Sequence, residues 1–110
     1  MSTNTKQRPQ RSPVVQTMIE QIGGTTVMAV SGGRVGLAPN DPNVLELPAG
    51  AGYYVVVRYQ PGSDTYLVTR EFRRAGKRFS HGEQEAWCDT LSDTVWQASC
   101  FRSYSFPVGA

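Results

Sequence analysis

Few side chains in this sequence are equipped for bond-making chemistry. The only histidine, His81, sits in Ser80-His81-Gly82-Glu83, and S-x-x-E is the spacing of a capping box, in which hydroxyl and carboxylate satisfy the free N–H groups of a starting helix. Ser80 is therefore read as a cap, since it lacks the G-x-S-x-G elbow of a nucleophilic serine. One imidazole and two cysteines, Cys88 and Cys100, cannot make the four-ligand His/Cys set of a structural zinc site. Neither cysteine has the basic neighbourhood that turns a thiol into a nucleophile. Ser31-Gly32-Gly33-Arg34-Val35-Gly36 matches neither G-x-x-x-x-G-K-[ST] nor G-x-G-x-x-G, so it reads as a connection and not as a phosphate cradle. No catalytic residue is assigned, no metal or cofactor is expected, and the expected mode of action is binding.

Charge carries more information. The formal net charge of +2 conceals a division: residues 1–11 hold Lys6, Arg8 and Arg11 for +3, residues 70–78 hold Arg70, Arg73, Arg74, Lys77 and Arg78 against Glu71 for +4, and the remainder sums to −5. Cations for phosphates beside an aromatic plane for a base are the ingredients of a nucleic-acid surface. The candidate set is Tyr54, Arg58, Arg73, Arg74, Lys77 and Arg78. The competing account is a solvated strand end whose charges discourage sheet-to-sheet aggregation. The acids offer a second surface. Glu85, Asp89 and Asp93 fall at i, i+4 and i+8 with Trp96 nearby, and an exposed tryptophan among acids is a spot where a protein partner docks; the alternative is that Trp96 covers a sheet edge.

These residues need elements to hold them. Ser12-Pro13 supplies a cap and a first-turn proline, and Val15, Met18, Ile19 and Ile22 recur on one helical face until Gly23-Gly24 stops the helix. Strands are expected at Thr25–Val30, Asn43–Leu47, Tyr53–Gln60 and Thr65–Arg74. The turn sequence Pro61-Gly62-Ser63-Asp64 sets Gln60 opposite Thr65 and Val57 opposite Val68. One sheet face then carries Tyr53, Val55, Val57, Tyr59, Tyr66, Val68, Arg70 and Phe72 as core; the other carries Tyr54, Val56, Arg58, Gln60, Thr65, Leu67, Thr69 and Glu71 and is amphipathic. Arg70 falls on the core face, where it is expected to snorkel past the sheet edge or pair with an acid of the second helix. A second helix is expected after Ser80, with Trp87, Cys88, Leu91, Val95, Ala98 and Phe101 along its buried stripe. On that helix the two cysteines stand about 18 Å apart, beyond disulfide reach.

The expected fold is a two-layer α+β domain: helix, four-stranded antiparallel meander, helix. With 110 residues, 11 Gly and 7 Pro, a single domain fits, bounded at 12–101 by a disordered basic tail (1–11) and an aromatic C-terminal tail (102–110) that folds back or meets a partner. No run reaches the ~18 apolar residues of a membrane span, and the N-terminus lacks the apolar core of a secretory signal, so a cytoplasmic protein is expected.

Ile22-Gly23-Gly24, Met28-Ala29-Val30, Leu45-Glu46-Leu47-Pro48, Asp64-Thr65-Tyr66-Leu67-Val68 and Trp87-Cys88-Asp89-Thr90-Leu91 together resemble a family of small proteins encoded by bacteriophages and prophages. The resemblance spans about Val15 to Leu91 and departs at Ser31-Gly32-Gly33-Arg34, where that family has a Thr-Gly-Ala-Lys-like turn, and in the longer tails. It implies a host bacterial cytoplasm but no activity and no site residues. Two functions are carried forward: a nucleic-acid-associated accessory protein, or an inhibitor or adaptor of the anti-defence type that binds a host protein through Trp96 and its acids. An exposed sheet edge adds a homodimer as an expected assembly.

Overall fold

The computed structural model describes residues 12–38 and 40–100. The first helix, α1 (Pro13–Ile22), begins as its sequence requires: Ser12 Oγ accepts the Val15 N–H at 3.1 Å, and Pro13 occupies the first turn. Val15, Met18 and Ile22 are buried along one stripe. Gly23, at φ 90°, ends this helix by donating its N–H to Ile19 O, and a second helix, α2 (Gly24–Ser31), follows at once.

The strand expected at Thr25–Val30 is thus a helix. Its β-branched residues favour a strand locally, but burial falls on Val27, Val30 and Ser31, the i, i+3, i+4 pattern of a helix. Its end is also a helix end. Gly32 adopts the left-handed conformation at φ 67° and donates to Met28 O and Val27 O, so Gly32-Gly33 acts as a C-terminal stop.

The sheet has five strands in the order β1 (Gly36–Leu37), β2 (Val44–Gly50), β3 (Tyr53–Gln60), β4 (Thr65–Arg74) and β5 (Lys77–Ala86), every neighbouring pair antiparallel. The β3–β4 register matches the expectation, with Gln60 opposite Thr65 and Val57 opposite Val68. The fifth strand overturns the expected capping box. Ser80 pairs with Glu71 and Glu83 with Thr69, so Ser80–Glu83 is strand, and His81 and Gly82 together oppose Arg70 as a bulge. Lys77–Ala86 is poor in intrinsic strand formers. Pairing along the whole of β4 overrides that preference, and the turn Ala75-Gly76, with φ 54° and 77°, has the two left-handed residues of a tight hairpin.

The last helix, α3 (Leu91–Ser99), therefore starts later than expected. Leu91, Val95 and Ala98 are fully buried, as their spacing implied, but Trp87 and Cys88 precede the helix and are exposed. Phe101 and both expected tails, 1–11 and 102–110, lie outside the described residues. Both cysteines are free.

Residues of all three helices join Leu45, Leu47, Val55, Val57, Tyr66, Val68 and Ala86 in one core cluster, and register puts these strand residues on the same side of the sheet. The described helices therefore form one layer on the face read as core, and the amphipathic face has no described helix over it. Among the described residues the fold is α+β in two layers, with three helices and five strands instead of two and four. A Thr26–Ser92 hydroxyl contact of 2.8 Å links α2 to α3. Arg70 neither snorkels out nor pairs with an acid of the last helix. It is 5% exposed and its Nε donates to Ala98 O at 2.9 Å, placing a cation at the negative end of α3. Burial pulls its guanidinium below the ordinary pKa.

Candidate nucleic-acid interface

The six basic and aromatic candidates divide into two groups. Tyr54, Arg58 and Arg73 occupy the open sheet face, where each meets a partner from its own chain. Arg73 Nη2 lies 2.9 Å from Glu46 Oε2 and its Nε donates to Glu71 Oε1 at 2.5 Å. Its guanidinium carbon sits 4.1 Å from the centre of the Tyr54 ring. The hydrogen bond with Glu46, then that with Glu71, holds its pKa above the ordinary value against the opposing effect of burial. Arg58 Nη1 contacts Asp41 Oδ2 at 2.6 Å. Asp41 lies below its usual range, first because it accepts the Asn43 backbone N–H and then because of Arg58.

Acids also outnumber cations on this face. Register places Glu46, Glu71, Glu83 and Glu85 on the same side as Tyr54, Arg58 and Arg73. The middle of the open sheet is therefore an ion-paired, weakly acidic surface, and Tyr54 already has a guanidinium stacked on it. Glu46 and Asp41 are the residues that sequence reading missed. The signal lay in strand register, since Glu46 becomes a partner for Arg73 only when β2, β3 and β4 are laid side by side.

Arg74, Lys77 and Arg78 form the second group. They flank the Ala75-Gly76 turn, with Arg74 opposite Lys77 and Arg73 opposite Arg78. All three are exposed, and none has an ion-pair partner among the described residues. Like charges facing each other across a ladder cost stability, so this end of the hairpin carries a concentrated positive potential. Phe79, next to Arg78, is 48% exposed and pairs with Phe72. It went unrecognised because Lys77–Ala86 did not read as a strand, and its outward position follows only from that pairing.

The acidic candidates are not brought together as one stripe. Glu85 belongs to β5, on the open face, and accepts a hydrogen bond from Thr65 Oγ1 at 2.7 Å. Asp89 is an exposed turn residue before α3, and Asp93 lies exposed in its first turn. Trp96, 42% exposed, is three residues beyond Asp93 on that helix. The sheet separates Glu85 from the other three. His81 belongs to β5 as well, and its ring meets those of Tyr53 and Phe72 edge-on.

A recess of about 290 Å³ lies at the other end of the sheet, between α1 and the β3–β4 turn, where Tyr59 donates to Asp64 Oδ1 at 2.7 Å. That hydrogen bond pushes the Tyr59 phenol up. With β4 ten residues long, the recess is roughly 30 Å from the basic turn. Among the described residues, no three of His, Cys, Asp and Glu gather as a metal site, and no helix is long and apolar enough to cross a membrane. Comparison with protein-family models, with curated proteins and with solved structures returned no match.

Proposed function

We propose that this chain is a nucleic-acid-associated accessory protein that acts by binding, gripping the phosphate backbone with the basic end of the β4–β5 hairpin. The observation that carries the reading is the cluster of Arg74, Lys77 and Arg78 around one tight turn, exposed and with no ion-pair partner among the described residues. Each contact of a lysine or arginine with a phosphate releases condensed counterions, which drives association. Phe79 supplies a flat apolar surface beside them, on which an unpaired base stacks. Single strands suit this arrangement best. Arg58, Arg73 and Tyr54 then serve the sheet, and the basic residues Lys6, Arg8 and Arg11 add non-specific attraction. The resemblance to phage-encoded proteins supplies the setting, a host bacterial cytoplasm. NMR titration with a single-stranded oligonucleotide tests the reading: amide shifts are expected to concentrate between residues 73 and 81. Shifts confined to α3, or none at low salt, would overturn it.

A second reading rests on Trp87 and Trp96, 50% and 42% exposed in and beside the helical layer with Asp93 close by. An exposed tryptophan three residues from an acid on one helix suits a host protein. If that surface is the working one, Trp96→Ala abolishes capture of the partner without unfolding the chain, and retained capture excludes it.

A further inference from the structure

The recess between α1 and the β3–β4 turn is about 30 Å from the basic turn, outside the surface proposed to grip phosphate, and its lining has a chemistry of its own. At about 290 Å³ it lies at the small end of ligand sites, with room for a group the size of one long side chain. Pro13 and Val14, in the first turn of α1, supply apolar lining, and Tyr59 and Tyr66 supply aromatic lining, their ring centroids 5.5 Å apart. The polar lining comes from Thr17, Gln21 and Asp64.

That polar lining is biased toward acceptors. The Tyr59 hydroxyl donates to Asp64 Oδ1 at 2.7 Å, and Thr17 Oγ1 donates to Pro13 O at 3.0 Å, so both hydroxyls have only lone pairs left to offer. Asp64 has no ion-pair partner among the described residues, and no lysine or arginine among them lines the recess. Gln21 Oε1 is shut off from solvent and has no hydrogen-bond partner among the described residues. A buried acceptor left unmet is costly, and the terminal torsion of a glutamine is soft, so this carbonyl gains by turning to a donor that enters. Burial, and then the charge of Asp64, push the Tyr66 phenol up, so the carboxylate is felt across the recess. Negative charge, aromatic rings and spare acceptors together select a cation rich in N–H groups. A guanidinium satisfies all of them: its planar fork fits a carboxylate, its face stacks on a tyrosine ring, and a carbon stem packs on Val14.

We infer that the recess is a binding site for an alkylguanidinium, either free or as the arginine side chain of a partner protein, with Asp64 as its ion-pair partner and Tyr59 and Tyr66 as its stacking surface. NMR titration of the full chain with butylguanidinium tests this without reference to nucleic acid. Saturable shifts are expected at Val14, Gln21, Tyr59, Asp64 and Tyr66, with a Kd in the millimolar range, and none there from butylurea, which has the same shape without the charge. Asp64→Asn keeps an acceptor for the Tyr59 hydroxyl and a residue tolerant of the left-handed φ of 55°. It is expected to weaken binding about ten-fold, while the α3 amides keep their shifts and report an intact fold. An acetylated Gly-Arg-Gly amide separates the sources: tighter binding than butylguanidinium assigns the site to an arginine side chain and weaker binding to a free ligand, and either result upholds the alkylguanidinium. Absence of saturable shifts at these residues, equal binding of butylurea, or undiminished binding by Asp64→Asn would overturn the inference.

Discussion

Arg73 and Arg74 are neighbours with identical chemistry, and alternation along β4 gives them different tasks. Arg73 points to the open face, where Glu46 and Glu71 hold it over Tyr54; Arg74 faces the other way at the turn, exposed. Arg73 is 20% exposed and Glu46 is 13% exposed, so the pair is desolvated enough to matter. Glu46→Gln is expected to cost about 1–2 kcal/mol in a denaturant melt, and an unchanged midpoint would show the contact to be idle. Asp41 is the more exposed case. Its folded pKa lies below the ordinary 3.8, so its contribution is present above about pH 4 and lost as pH falls through the folded value. Asp41→Asn should therefore flatten the fall in melting temperature between about pH 4 and pH 2. Arg70 shows what a sequence can and cannot tell at this scale. The β3–β4 register was enough to place it on the core face. Its partner, the carbonyl of Ala98, could not be read, because it depends on where α3 lies.

The β4–β5 hairpin is the element on which the functional reading depends, and the least legible one. Gly82 and a run of polar residues make β5 resemble the start of a helix, and Ser80 and Glu83 happen to sit at capping-box spacing. Ten residues of β4 need a partner, however, and the chain that follows a two-residue turn is the nearest supplier. Thr25–Val30 failed for the opposite reason: its β-branched residues outweighed a weak helical period, and only docking of Val27 and Val30 decides the matter. Where the pattern was strong, it held. The stripes of α1 and of Leu91, Val95 and Ala98, and the β3–β4 register, follow from spacing and turn chemistry alone. The basic turn can be tested as an element. Gly76 at φ 77° accepts a β-branched residue poorly, so Gly76→Val should lower stability by about 1–2 kcal/mol. Ala75→Asn, placing a residue tolerant of the left-handed region at φ 54°, should raise the melting temperature; a drop would show that the turn differs.

Across the whole molecule, charge is sorted by position more than by amount. A net charge of +2 is small, but Arg58 and Arg73 are ion-paired on the open face, while Arg74, Lys77 and Arg78, exposed and without an ion-pair partner among the described residues, gather at one end of the sheet, about 30 Å from the recess beside Asp64. The sequence revealed the +4 segment. It placed Arg70 on the core face but could not reveal that Arg73 is neutralised, which leaves Arg74, Lys77 and Arg78 as the exposed cations of that segment. Three phosphate contacts on a single strand imply a salt slope near −2. Fluorescence anisotropy of a labelled single-stranded oligonucleotide, at several salt concentrations and with the chain compared against its Arg74→Ala/Lys77→Ala/Arg78→Ala variant, tests the central claim most directly. The account predicts binding that weakens with a slope of about −2 and is lost in the triple variant. Absence of binding at low salt, or equal binding by the variant, would contradict it.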